Sequence, residues 1–180
     1  MASKLEIASN SCLLLGANTI SSFSESTEGR VASALYEGIY KGVLASYPWR
    51  FATKKVQLSR LTEAPLNQYQ YQYQLPTDKI TIIHGENGDN YEIYGDKLYS
   101  NLPTVSIDYV YRVDETLLPA YFELTLQYLL AASFAIPLTD NATKAQTYVT
   151  LYETQFRIAK NIDSTQRPST AIQDSPLLGL

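Results

Sequence analysis

The 180-residue chain carries one cysteine, one histidine, one tryptophan and one methionine. A lone cysteine, Cys12, excludes an intramolecular disulfide and any cysteine-based metal centre. It sits in a helical pattern beside Leu13, Leu14 and Leu15, where a thiol acts as a small buried apolar group. A lone histidine, His84, excludes sites that need two imidazoles. Asp78, Glu86 and Asp89 could add oxygen ligands, but a histidine at a strand end before Gly85 reads more simply as an ordinary strand residue. There is no Gly-rich phosphate loop, no GxGxxG and no GxSxG nucleophile elbow. ENGDN (86–90) lacks the full acidic spacing and closing glutamate of a calcium loop. No catalytic, cofactor-binding or metal-binding residue is expected.

Long apolar runs are also missing. No stretch approaches the roughly 20 apolar residues of a membrane span, and SCLLLGA is too short, and preceded by too polar a segment, to act as a secretory signal. The expectation is a soluble protein with no membrane partner, folding in a reducing compartment. Basic charge is scarce in the middle third. Residues 1–60 carry seven Lys and Arg against four Glu, residues 61–120 carry three against nine acids, and residues 121–180 four against five. Phosphate affinity comes from Lys and Arg, so the acidic middle argues against a tight nucleic-acid groove there.

What the chain does have is tyrosine, 15 in all, including the alternation YQYQYQLP at 69–76. A period of two predicts a strand with Tyr69, Tyr71 and Tyr73 on one face and the glutamines on the other. Tyr109 and Tyr111 alternate in the same way, so cross-strand aromatic pairing is expected. The glutamine face is left for solvent or a neighbouring subunit.

The period changes twice along the chain. Helical spacing runs over about 3–15 (Leu5, Ala8, Cys12, Leu15) and stops at Gly16. Ser22 and Glu25 fit a capping box, as do nearby alternatives, ahead of a second helix over about 27–46. Its face is expected from Val31, Leu35, Ile39 (or Gly38), Gly42, Val43 and Ser46. Gly38 and Gly42 each weaken it, which suggests close approach of another helix. Pro48 ends it. Short strands follow, around Val56 and Leu58, at YQYQYQL, at ITIIHG (80–85), at YEIYG and KLYS with a turn at Gly95-Asp96, and at VSIDYVYRV (105–113); ENGDN is a hairpin signal. Helical period returns at Pro119 with Phe122, Leu126, Leu129, Leu130, Ser133 and Ile136, and Pro137 is expected to end the helix. Asp140 is expected to cap a fourth helix over about 141–162, with Ala145, Tyr148, Val149, Tyr152, Phe156 and Ala159 on its inner face. The reading is α+β: a bundle of four helices with an antiparallel β-block inserted between helices 2 and 3. Its parts are helices in 1–48, the β-block in 49–116, helices in 117–162 and an extended tail in 163–180. Trp49 is expected to plug the helix–sheet junction. The tail ends in an apolar tip, Leu177, Leu178 and Leu180, which suits an anchor that docks on a partner.

The order of these segments resembles the head-to-tail adaptor proteins of tailed bacteriophages, in particular the tail tubular protein A branch of short-tailed phages. The resemblance is carried by LLLGANTISSFSES after the first helix, YPWRFATKKVQL at the exit of the second, YQYQYQLPTDKITI, the short hairpin YEIYGDKLYSN, and VSIDYVYRV leading into LLPAYFELTLQYLLAASFAIPLTDN. It covers about residues 3–162. It implies a structural protein with no active site. Such adaptors form a ring, expected here as a dodecamer, beneath the portal protein; the ring extends the DNA channel and docks the tail nozzle protein. Genomic DNA would pass through without specific binding, and the protein would reside in the virion at the portal–tail junction after assembly in the host cytoplasm. Tyr69, Tyr71, Tyr73, Leu177, Leu178 and Leu180 are the candidate partner-binding residues. Two other readings remain open: a tail-associated carbohydrate-active enzyme using acids of the β-block, and a module that binds a small ligand or peptide.

Overall fold

A computed structural model describes residues 2–85 and 91–166, with the side chains of His84 and Gly85 outside that description. Among the described residues four α-helices and seven strands form in chain order: α1 (Lys4–Leu14), α2 (Thr27–Ala45), β1 (Thr53–Gln57), β2 (Ser59–Arg60), β3 (Tyr71–Gln74), β4 (Lys79–Gly85), β5 (Tyr91–Tyr94), β6 (Lys97–Ser100), β7 (Ser106–Tyr111), α3 (Ala120–Thr139) and α4 (Ala142–Thr165). The fold is α+β, with the strands inserted between α2 and α3 as the periodicity predicts.

The helix ends follow local chemistry. Ser3 and Glu6 close a reciprocal capping box on α1. Ser26, rather than Ser22, caps α2, its hydroxyl accepting from the Gly29 amide at 2.9 Å. Gly16, at φ 74°, makes the left-handed turn after α1. Asn141, not Asp140, caps α4; Asp140 instead ends α3 in the left-handed region at φ 47°. Pro137 lies inside the last turn of α3 and does not end it. The fourth helix runs on to Thr165, so the boundary placed at 163 falls inside α4, and Asp163 is fully buried.

The central helix is α3, on which α1, α2 and α4 all pack. By length and composition alone it would serve as a membrane span, with a mean hydropathy of 1.2, which the count of uninterrupted apolar residues does not reveal. Its contacts are those of a core helix: Phe122, Leu126, Leu130, Ala131, Phe134 and Ala135 are buried, while Ile136, expected on the inner face, is exposed.

The buried face of α2 also departs from expectation. Ala32, Tyr36, Tyr40, Val43 and Leu44 point inward, and Leu35, Gly38 and Gly42 point out. Two large rings four residues apart fill more of the interior than the leucine–glycine side could, and burial follows apolar area.

The strands make two antiparallel sheets rather than one. The first has the order β1-β7-β4, the second β2-β3-β6-β5. The chain crosses between them at Leu58, so one expected strand becomes β1 in one sheet and β2 in the other. Strands β4 and β5 pair with different partners, β7 and β6, and the turn expected at ENGDN (86–90) lies outside the described residues. The β5–β6 hairpin forms as expected, with Gly95 at φ 63°.

Alternation along β7 builds two cores. Val110, with Ile80 and Ile83 of β4, faces the helices. Val105, Ile107 and Tyr109 face the second sheet, where they meet Leu58, Tyr73, Leu75 and Leu98. The first sheet is thus covered on both faces and the second mainly on one.

Candidate interaction surfaces

The tyrosine alternation is divided by its surroundings. Only Tyr71 and Tyr73 lie in β3; Tyr69 precedes it. Tyr73 is buried in the core between the sheets, and its hydroxyl donates to the Leu102 carbonyl. Tyr71 is half-buried, with the Arg60 guanidinium 4.0 Å from its ring centre. The expected pairing with Tyr109 does not occur within a sheet. Strand β3 pairs with β2 and β6, and Tyr73 and Tyr109 share a core across the two sheets. The glutamine face is closed at Gln72 only, while Gln70 is exposed and Gln74 half-buried. Gln72 is buried, its amide donating to the Glu63 carbonyl at 3.0 Å, because the 61–70 segment folds over that side. Leu177, Leu178 and Leu180 lie outside the described residues.

Beneath the same segment lies an open cleft of about 280 Å³, lined by Leu66, Asn67, Gln72, Tyr94 and Tyr99 with the Glu63–Lys97 pair. The Tyr94 and Tyr99 rings meet edge to face at 5.6 Å, and Leu66 and Tyr94 are exposed. Among the described lining residues only Glu63 brings a carboxylate, whereas glycoside cleavage by paired acids needs two that face each other.

Two polar hubs lock the helices to the strands. Arg112, just after β7, donates to both oxygens of Glu37 on α2 at 3.0 and 3.1 Å, and to both oxygens of Glu115 at 3.0 and 2.8 Å. Its guanidinium also lies 4.7 Å from the Tyr40 ring centre. The Arg112 hydrogen bonds hold the Glu37 carboxyl below the usual glutamate range, and the two carboxylates raise the arginine further. With its donors committed, Arg112 is a clamp rather than an anion receptor. Tyr36 beside it is the one described residue with a buried side-chain polar atom lacking a hydrogen-bond partner, and burial pushes its hydroxyl pKa up.

The second hub is Asp163. Its carboxylate accepts from the Arg50 amide at 3.0 Å and from the Tyr121 hydroxyl at 2.8 Å. It pins the end of α4 to the turn that follows Trp49. Trp49 is fully buried, as expected, against Tyr47, Phe51, Tyr121, Phe122 and Phe156, and its indole donates to the Val43 carbonyl at 2.9 Å. Burial, with the Glu28 charge adding to it, pushes the thiol of Cys12 up to about 11, which disfavours the reactive thiolate. Among the described residues no group of three or more His, Cys, Asp or Glu could hold a metal.

Apolar side chains also face outward on two of the helices. Helix α4 buries only Ala159 and Asp163 fully, although it is 24 residues long. Leu151, Ile158 and Ile162 stand exposed along it at 40, 47 and 41%. On α2, Ala34, Gly38, Gly42 and Ala45 are exposed, with Leu35 at 37%, and a Cβ added to either glycine would meet nothing within 4 Å. Among the described residues no helix approaches these glycines. Sequence periodicity missed this face because it counted Leu35 and Gly42 as interior; the tyrosine pair Tyr36 and Tyr40 was the available signal. Compared with known proteins, the chain matches no protein-family model and no curated protein.

Proposed function

We propose that the chain is a structural head-to-tail adaptor of a tailed phage, which assembles as a ring beneath the portal, extends the DNA channel and docks the tail nozzle. The observation that carries this reading is the pair of apolar helix stretches on α2 and α4 that face outward among the described residues, since grouped exposed apolar side chains mark sites of protein contact. The order of motifs from LLLGANTISSFSES to LLPAYFELTLQYLL supports the same assignment. The ring is proposed to be a dodecamer, self-associating through heterologous contacts. Its acidic middle third offers DNA few phosphate contacts, which suits a channel through which the genome slides. Tyr71 and the Leu66–Tyr94 end of the second sheet are proposed to meet a neighbour or the nozzle, and the leucines of the tail to meet the portal.

The test is the mass of the purified full chain in solution, alone and with a portal ring. A multimeric ring, formed alone or on the portal, is the expected result. A monomer under both conditions would overturn the assignment, and hydrolysis of bacterial cell-wall glycans by that monomer would replace it with the enzyme reading.

A further inference from the structure

The outer face of the second sheet has an order of its own. Register across β3, β6 and β5 sets Gln72, Tyr99 and Glu92 in one row and Gln74, Lys97 and Tyr94 in the next. Alternate residues of a strand share a face, so these side chains stand opposite Tyr73 and Leu98, which fill the core between the sheets. A sheet face turned to solvent needs only polar residues, yet this one also holds two tyrosine rings. Tyr94 is 58% exposed but fixed: its hydroxyl donates to Glu92 Oε2 at 2.7 Å, and its ring meets Tyr99 edge to face. Glu63, Leu66 and Asn67 of the 61–70 segment form the other wall of the cleft of about 280 Å³.

We propose that this cleft binds a neutral mono- or disaccharide without cleaving it. The inference concerns the single chain and does not rest on the ring reading. The exposed ring of Tyr94 offers a flat apolar surface to the C–H face of a sugar. Sugar hydroxyls both donate and accept, and the cleft supplies both kinds of partner. Asn67 commits its amide oxygen to the Tyr69 N–H at 3.2 Å and keeps its NH2 group as a donor. Gln72, only 3% exposed, commits an N–H to the Glu63 carbonyl at 3.0 Å and keeps its amide oxygen as an acceptor. Lys97 and Glu63, 4.0 Å apart, add a further donor and acceptor. A preformed aromatic surface with a few placed polar groups is the pattern of small-molecule sites, and the volume lies near the lower end of their range of roughly 300–1,000 Å³. Charge narrows the class. Lys97 is the one cation among the described lining residues, and Glu63 in the wall and Glu92 on the same face outnumber it, so a phosphate or carboxylate ligand is repelled.

The purified full chain is titrated with glucose, galactose, maltose and cellobiose, followed by calorimetry and by the tyrosine ring signals in NMR spectra. Saturable binding of at least one of them is expected, with a Kd of about 0.1–10 mM. Tyr94→Ala is expected to weaken it at least about tenfold, and Tyr94→Phe to leave it within about threefold, since the ring remains when the hydroxyl is lost. Tyr94 is exposed, so both variants are expected to keep the melting temperature of the wild type. No saturation by any of these sugars at about 50 mM overturns the proposal. So does binding that Tyr94→Ala leaves unchanged, or equal binding of choline, which would make the cleft a cation site. Release of glucose from maltose overturns the non-cleaving assignment in favour of an enzyme. Failure to bind sugar leaves the ring reading to its own test, the mass of the assembly.

Discussion

The two cores of the protein are built differently. The helical core gathers Trp49, Tyr36, Tyr40, Phe122 and Phe134 with aliphatic residues from all four helices, and it takes in one face of the first sheet. The core between the sheets has seven buried residues, Leu58, Tyr73, Leu75, Leu98, Val105, Ile107 and Tyr109. The helical side is reinforced by two charged hubs whose hydrogen bonds span 75 and 113 residues of sequence. The sheet side depends on burial and on short-range pairing. Damage to the first therefore reaches the whole fold, and damage to the second stays nearer the β-block.

The sharpest test of that contrast is Trp49→Ala. It removes the ring at the centre of the aromatic cluster and leaves the Val43 carbonyl without its indole donor, so a loss of about 4 kcal/mol is expected in denaturant unfolding. Arg112→Met should cost about 3 kcal/mol, because Glu115 is left buried without its counter-charge. Leu98→Ala, in the sheet core, should cost about 2–3 kcal/mol, with amide exchange rising in β3, β5 and β6 before the helices. If exchange rises equally in α3, the two cores are one cooperative unit.

Acid separates the regions in another way. Arg112 depresses the Glu37 carboxyl in the folded state, so this pair stabilises the protein above the unfolded glutamate range and the contribution is lost as pH falls through the lower, folded value. Acid unfolding of the wild type should therefore include a component that is absent in Glu37→Gln, measured by melting temperature against pH. The smallest effects are at glycines. Gly29→Ala should destabilise by about 1–2 kcal/mol, since its new methyl would lie 2.3 Å from the Ser22 carbonyl oxygen. Gly42→Ala should stabilise an isolated chain by up to about 1 kcal/mol. A destabilising Gly42→Ala in the monomer would show that its face is already covered.

Much of the architecture was legible from local patterns. Helical spacing placed all four helices within a few residues, and alternation placed most strands, because both signals come from which side of an element is apolar. The two sheets were not legible. The switch of sheets at Leu58 and the placing of β4 and β5 in different sheets depend on which surfaces the strands meet, and local pattern does not record that. Trp49 could be recognised as a junction residue from its place between a helix exit and a strand. The Arg112 and Asp163 hubs could not, because their partners are far away in sequence and charged residues at such positions usually face solvent. The candidate surface shifted most. Tyr73 and Gln72 were available for contact in the linear reading, yet a second sheet and a loop enclose them.

The sequence by itself determined the class of the protein: scarce cysteine and histidine, helical and alternating stretches in a fixed order, and an acidic middle. Those properties follow from residue type and spacing, which act over a turn or a strand. Only the tertiary structure decided which faces remain open. Leu35, Gly38 and Gly42 lie outside because Tyr36 and Tyr40 fill the interior, and Leu151, Ile158 and Ile162 lie outside because α4 packs along one side of α3. Burial is a competition among all the apolar surfaces of the chain, and its outcome is settled only when they pack together.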